Sequence, residues 1–135
     1  MNKERLQLLR KTIVDNKDRF YYARWATPLD DLTGEGISRI APEINSLSVS
    51  ATALQLIENK SLCGCVGGFT IALFSVEADH EFMTTDIKKY LELTDEEVSF
   101  LCFGRGMFGF DSLEPIHKAT VEDALKRIDY LINER

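Results

Sequence analysis

Hydrophobic residues recur with the helical period near both ends of the chain. Leu6, Leu9 and Ile13 are spaced by three and four, with lysine and arginine on the other face, which predicts a helix over about 3–15. A second stripe predicts a last helix that Thr120 caps. Its apolar positions are Val121, Ala124, Leu125, Ile128, Leu131 and Ile132.

Capping signals predict two further helices between these ends. Thr94 is followed three residues later by Glu97, the pattern of a capping box, and the helix it opens would bury Val98, Leu101 and Cys102. Before it, Thr84 or Thr85 can cap a short helix that runs through residue 91.

The uncharged run 62–76 predicts a buried central helix over about 64–76. Gly64, Gly67, Gly68 and Ile71 fall on one face at spacings of three and four. Because this face has almost no side-chain bulk, we expect another helix to approach it closely. The run is shorter than the roughly 20 residues of a membrane span, so we interpret it as part of a soluble core.

Two stretches between the predicted helices carry weaker signals. Proline and glycine between residues 26 and 45 predict a long irregular loop, a candidate lid or partner contact. Residues 46–58 fit both periods, since Leu47, Val49, Ala51 and Ala53 alternate like a strand while Leu47, Ala51, Leu54 and Ile57 repeat like a helix. The end of this stretch favours a helix, and both interpretations stay open.

Together these elements predict an all-α fold in which residues 1–135 form one compact helical bundle around the central helix, with the helices after Thr94 and Thr120 packed on it. A length of 135 residues with 44% hydrophobic content fits one domain with one core.

Charge is unevenly distributed along the chain. The net charge is −6, which disfavours nucleic acid as a partner. The first 25 residues carry a local charge of +4, which leaves −10 for the rest. Three cysteines and the absence of a signal-peptide pattern lead us to expect a cytoplasmic protein.

Residues 20–25 form an aromatic cluster that contains the only tryptophan. Packing at the edge of the core is the commoner role of such a cluster. An exposed recognition strip is the alternative, and on that hypothesis the candidate partner-binding residues are Tyr21, Tyr22, Arg24 and Trp25.

Three kinds of chemistry can be considered from single motifs. A thiol enzyme would use Cys63, near the predicted start of the central helix, with His80 or His117 as its base. A metal site would use Cys63 and Cys65, although structural zinc needs four ligands and wider spacing. The glycine pattern of 104–109 matches the letters of a dinucleotide-binding loop, but a helix rather than a strand precedes it. We expect no cofactor.

The segment 13–20 followed by Trp25 is similar to an Asn-Pro-x-x-Phe motif with a later tryptophan, and Cys63-Gly64 is similar to a Cys-Gly-Thr-x-x-Cys-Ile-Ala-Gly motif. In these pieces, and in 91–94 and 119–124, the chain resembles a family of small bacterial and phage-associated proteins. It departs from that family at Lys17, Cys65 and Gly68, which replace proline, threonine and the second cysteine. The resemblance implies a small soluble helical protein and transfers no catalytic residue.

The sequence therefore predicts a small, soluble, non-enzymatic accessory or interaction protein. Its expected partner is a protein, with a homo-oligomer as one form, and neither nucleic acid nor a membrane. The alternatives are a thiol-dependent hydrolase or other cysteine enzyme that uses Cys63 with a histidine and, more remotely, a protein with a cysteine-ligated metal.

Overall fold

The computed structural model describes residues 1–28, 53–75 and 83–135, with the side chains of Pro28 and Met83 left out. Five helices and two strands lie in these ranges: α1 (Lys3–Asp15), β1 (Ala26–Pro28), β2 (Leu62–Gly64), α2 (Val66–Phe74), α3 (Met83–Leu91), α4 (Asp95–Cys102) and α5 (Val121–Glu134). Two short 3₁₀ turns, Lys17–Arg19 and Ile116–Lys118, precede β1 and α5.

The protein is mainly helical, but it is not all-α as the sequence predicted. Strands β1 and β2 pair antiparallel, with Ala26 opposite Gly64 and Pro28 opposite Leu62. Residues 26–28 were expected to begin the long loop, and 29–45 lie outside the described residues. Strands of three residues are too short to show a period of two, which is why the hydrophobic pattern did not reveal them.

The central helix begins later than predicted. Gly64 belongs to β2, and α2 starts at Val66. Cys65 between them is the N-cap, with an extended backbone at φ −100° and ψ −174°. The carbonyl of Gly64 accepts the backbone N–H of Tyr21 at 2.9 Å, so this residue serves a strand and not a helix. From Val66 to Ile71 every residue of α2 is buried.

Trp25 fills the glycine face of α2, where the sequence predicted a second helix. A Cβ at Gly67 would overlap the indole ring of Trp25, and a Cβ at Gly68 would overlap its carbonyl oxygen. At Gly64 a Cβ would lie 2.8 Å from the same oxygen. The three glycines therefore form a slot that admits the main chain and ring of Trp25, and β1 begins directly after it.

The helices surround α2 on several sides. Helices α1, α3 and α4 pack against α2. Helix α5 was predicted to pack on the central helix, but it packs mainly on α1 and α4. Fully buried side chains from all five helices meet in one core: Leu6, Leu9, Ile13, Phe69, Ile71, Ile87, Leu101 and Ile128. Within the described ranges, none of the helices combines the length and apolar character of a membrane span.

The helix starts confirm two of the three capping predictions. Thr94 and Glu97 form a reciprocal capping box at α4, with the Glu97 carboxylate accepting the Thr94 N–H at 2.8 Å. Thr120 forms the same arrangement with Asp123 at α5. The predicted cap at Thr84 or Thr85 is wrong, because α3 already begins at Met83.

A buried arginine holds the turn that leads into β2. Residues 53–58 are helical and turn-like, and 46–52 lie outside the described residues. Arg19, only 3% exposed, donates to the carbonyl oxygens of Leu56, Asn59 and Leu62 at 2.8, 3.1 and 2.8 Å. Its other terminal nitrogen donates to Asn16 Oδ1 at 2.5 Å. The guanidinium thus supplies hydrogen-bond donors to three carbonyl oxygens of this turn.

Arg127 plays the same part for the glycine-rich loop 104–109. It is 1% exposed and donates to the carbonyl oxygens of Phe100, Arg105 and Asp111 at 2.7 to 2.8 Å. Its guanidinium also lies 4.5 Å from the ring centre of Phe100. Because Phe100 is in the last turn of α4, its carbonyl lacks a partner within the helix, and Arg127 supplies one. Arg127 of α5 therefore holds the glycine-rich loop in place through these hydrogen bonds.

We predict that Gly67→Ala and Gly68→Ala each lower the free energy of unfolding by about 1–3 kcal/mol, because the added methyl group overfills the Trp25 slot. Trp25→Leu removes the indole ring and keeps the carbonyl. In the Trp25→Leu background, Gly67→Ala should lower the free energy of unfolding by less than it does in the wild type. Gly68→Ala should lower it by the same amount in both backgrounds.

Urea unfolding of the three single and two double variants measures these couplings. Equal coupling of Trp25→Leu to both glycine substitutions would mean that ring and carbonyl do not occupy separate parts of the slot.

Candidate functional site

The candidate site is a groove of about 800 Å³ between two segments far apart in sequence. One wall is formed by 17–24 and the other by 116–121. Its lining is mostly apolar, with a few charged groups, and its volume lies in the range of ligand-binding clefts, roughly 300–1,000 Å³. The lining residues are Lys17, Asp18, Phe20, Tyr21, Tyr22, Ala23, Arg24, Ile116, His117, Ala119, Thr120 and Val121.

Residues 20–25, here termed the aromatic arch, form most of the first wall. Both ends of the arch are held by one residue of β2. Gly64 forms a β-bridge with Phe20, the first residue of the arch, and pairs with Ala26, which follows the last one. Within it the backbone N–H of Arg24 donates to the Tyr21 carbonyl at 3.1 Å, which closes a turn. The backbone of the arch is therefore tied to the sheet at both ends.

The arch directs Phe20 and Tyr22 into the core. They are 6% and 3% exposed, and their rings meet edge to face with centres 5.6 Å apart. The Tyr22 hydroxyl donates to the carbonyl of Leu101, in the last turn of α4, where that oxygen has no helical partner. Burial raises the pKa of Tyr22, so the phenol stays a neutral donor.

Trp25, the last residue of the arch, is placed outside the groove lining. It lies half-buried in the glycine slot of α2, and its ring contacts Phe103 edge to face with centres 6.1 Å apart. Of the four partner-binding candidates from the sequence, Tyr22 and Trp25 thus have packing contacts that fix the arch.

The other two candidates, Tyr21 and Arg24, face outward. Tyr21 is 41% exposed, and Arg24 is half-buried. Throughout the described ranges, the Arg24 guanidinium has no hydrogen bond or ion pair. Both side chains line the groove, so the arch presents an aromatic ring and a cation on one side while its other side is held by the core.

The second wall is the turn Ile116–Lys118 and the start of α5. His117 is exposed there, and Ile116 is partly buried against the core. An ion pair joins the two walls, since Lys17 Nζ lies 2.9 Å from Glu122 Oε1. Both side chains of this pair are well exposed, so it contributes little to stability but does neutralise Lys17.

The cysteines lie away from this groove lining. Cys63 is fully buried on β2, and Cys65, not Cys63, is the N-cap of α2. Burial raises the pKa of Cys65 to about 11, and burial also raises the pKa of Cys102. These two thiols are therefore protonated at neutral pH, whereas a nucleophile or metal ligand must be a thiolate.

The structure does not bring together Cys63 and His117, the two described residues of the thiol hypothesis. Cys63 is buried in the sheet, His117 is exposed in the groove, and His80 lies outside the described residues. Among the residues that are described, no cluster of three or more His, Cys, Asp or Glu side chains is arranged to hold a metal ion.

Sequence reasoning missed the second wall of the groove. The contact between 17–24 and 116–121 joins opposite ends of the chain, and no local pattern links them. The helix period placed Val121 on the buried stripe of α5, yet Val121 is only partly buried and lines the groove. The start of an amphipathic helix can belong to the core and to a cleft at once.

Comparison with protein-family models, with curated proteins and with solved structures found no match to this chain.

We predict that Tyr22→Phe lowers the free energy of unfolding by about 1–2 kcal/mol, because it leaves the buried Leu101 carbonyl without a donor. Tyr21→Phe is the matched control, since its hydroxyl is on an exposed side chain, and we expect a change within about 0.5 kcal/mol. Urea unfolding compares the two variants. A larger loss for Tyr21→Phe would contradict the conclusion that Tyr22 packs into the core while Tyr21 faces outward.

Proposed function

We propose that this protein is a non-enzymatic interaction protein that binds a segment of a partner protein in the groove between 17–24 and 116–121. The observation that carries the proposal is the pair of outward side chains on the arch. An exposed Tyr21 stands beside a half-buried Arg24 that has no acceptor among the described residues. Tyrosine and arginine are the residue types most often found at the energetic centre of protein interfaces.

The anchoring of the arch supports the same proposal. Its backbone is fixed by Gly64, and its inward side is fixed by Tyr22 and Trp25. Binding to a surface that is already ordered costs less conformational entropy than binding to one that must become ordered. Tyr21 and Arg24 would therefore meet a partner without rearrangement of the backbone.

The shape of the groove favours a polypeptide over a small molecule. Small ligands bury roughly 70–90% of their surface in a cleft. Here Tyr21 and His117 on opposite walls remain exposed, so both walls of the groove reach solvent. An extended segment of protein can lie in such a groove without being enclosed by it.

The thiol-enzyme alternative receives no support from the groove. Its nucleophile would have to be a thiolate accessible to substrate. Cys63 has no exposed area, and Cys65 is 4% exposed with its pKa raised by burial.

We expect a photocrosslinking residue, benzoylphenylalanine, to form a discrete adduct in cells when it replaces Tyr21. Leu8 is the matched control position, because it is a large apolar side chain that is 45% exposed on α1 and does not line the groove. The mass of the adduct distinguishes a second copy of this 15.3 kDa chain from a different protein. Cooperative unfolding of both variants is checked first.

Absence of an adduct from position 21, or the same adducts from positions 21 and 8, would contradict an interaction surface in this groove.

A further inference from the structure

We infer that the segment bound in the groove carries a carboxylate, which the guanidinium of Arg24 receives, next to an apolar side chain that lies between Tyr21 and Ile116. This inference rests on the proposed function and specifies the chemistry of the partner at the same site.

The first step is a comparison of the arginines. Arg5 donates to the Tyr90 carbonyl, Arg10 pairs with Asp129, and Arg135 pairs with Glu97. Arg19 and Arg127 are bound by carbonyl oxygens. Arg105 is exposed to water. Of the arginines in the described ranges, Arg24 alone is half-buried without an acceptor.

A guanidinium has five N–H donors, and the half-buried Arg24 uses none of its five on another described residue. A carboxylate suits this geometry, because its two oxygens accept two parallel N–H bonds. Such charge-assisted bonds are roughly twice as strong as neutral ones. The donor set of Arg24, unpaired within the described part of the chain, therefore points to an acidic ligand group.

The other charges in the groove limit the ligand to a single carboxylate. Lys17 is already neutralised by Glu122 at 2.9 Å, and Asp18 lines the same wall as Arg24. A phosphate, with a charge of about −1.5 to −2, or a run of acidic residues would bring excess negative charge beside Asp18. One Asp or Glu flanked by uncharged residues matches the single guanidinium of Arg24 and adds the least negative charge beside Asp18.

The apolar part of the groove accounts for the neighbouring side chain. Tyr21 and Ile116 stand on opposite walls, and Val121, at the start of α5, lies on the same wall as Ile116. A leucine or phenylalanine placed between these walls would bury apolar area on both partners and exclude water from the ion pair. Exclusion of water strengthens the carboxylate–guanidinium bonds.

The test is a selection of short random peptides displayed on phage against the purified full-length protein. We expect the enriched peptides to share one Asp or Glu beside a large apolar residue. One enriched peptide is then synthesised with a fluorescent label, and its Kd is measured by anisotropy for the wild type, Arg24→Ala, Tyr21→Ala and Lys89→Ala.

Arg24→Ala should raise the Kd about tenfold or more, the range expected for loss of a hydrogen bond to a charged group. Lys89→Ala removes an exposed cation of α3 outside the groove lining and should leave the Kd unchanged. Changing the carboxylate of the peptide to the amide should raise the Kd for the wild type by the same factor. The same change should leave the Kd for Arg24→Ala unaltered. This pattern assigns the carboxylate to Arg24 and not to the general charge of the protein.

Two results separate failure of this inference from failure of the proposed function. Peptides that depend on Tyr21 but show no acidic preference, or no coupling to Arg24, would overturn the acidic ligand and leave an interaction groove. If no enriched peptide depends on Tyr21, both proposals are overturned.

Discussion

The close approach of Trp25 to helix α2 is the constraint on which the rest of the structure depends. The carbonyl and the indole ring of Trp25 occupy space that a Cβ at Gly67 or Gly68 would fill. This contact ends the aromatic arch, starts β1 and sets the position of β2 relative to the helix. Glycine within a helix costs roughly 1 kcal/mol relative to alanine, and here packing of Trp25 offsets that cost.

Buried arginines complete the fold where regular structure ends. Arg19 and Arg127 bind carbonyl oxygens of the turn before β2 and of the loop after α4. Because these carbonyls find donors inside the protein, hydrogen bonds offset the cost of desolvating the turns and loops that lie against the core. Arg24 differs from both, since it is half-buried and has no such acceptor among the described residues, which is why we propose it as a contact for a partner.

Local signals in the sequence were sufficient for α1, α4 and α5, whereas long-range contacts were not predictable. The period of α1, the capping box at Thr94 and the cap at Thr120 depend only on neighbouring residues, and they were confirmed. The glycine face indicated a close approach, but a face without side chains does not specify what fills it. Burial of Arg127 on the stripe of α5 escaped notice because a pattern of apolar and polar residues assigns every arginine to solvent. The two walls of the groove come from segments near opposite ends of the chain, and no sequence period connects these segments.

Hydrogen exchange at the Tyr21 amide tests the central claim most directly, namely that the arch is a preformed wall fixed from inside. This N–H donates to Gly64 at 2.9 Å, next to side chains sealed in the core. Its exchange should require global unfolding, with the same free energy as the Phe69 amide of α2. Exchange of the Tyr21 amide at the rate of an open, solvent-exposed amide would contradict the account, because the arch would then be ordered only when a partner binds.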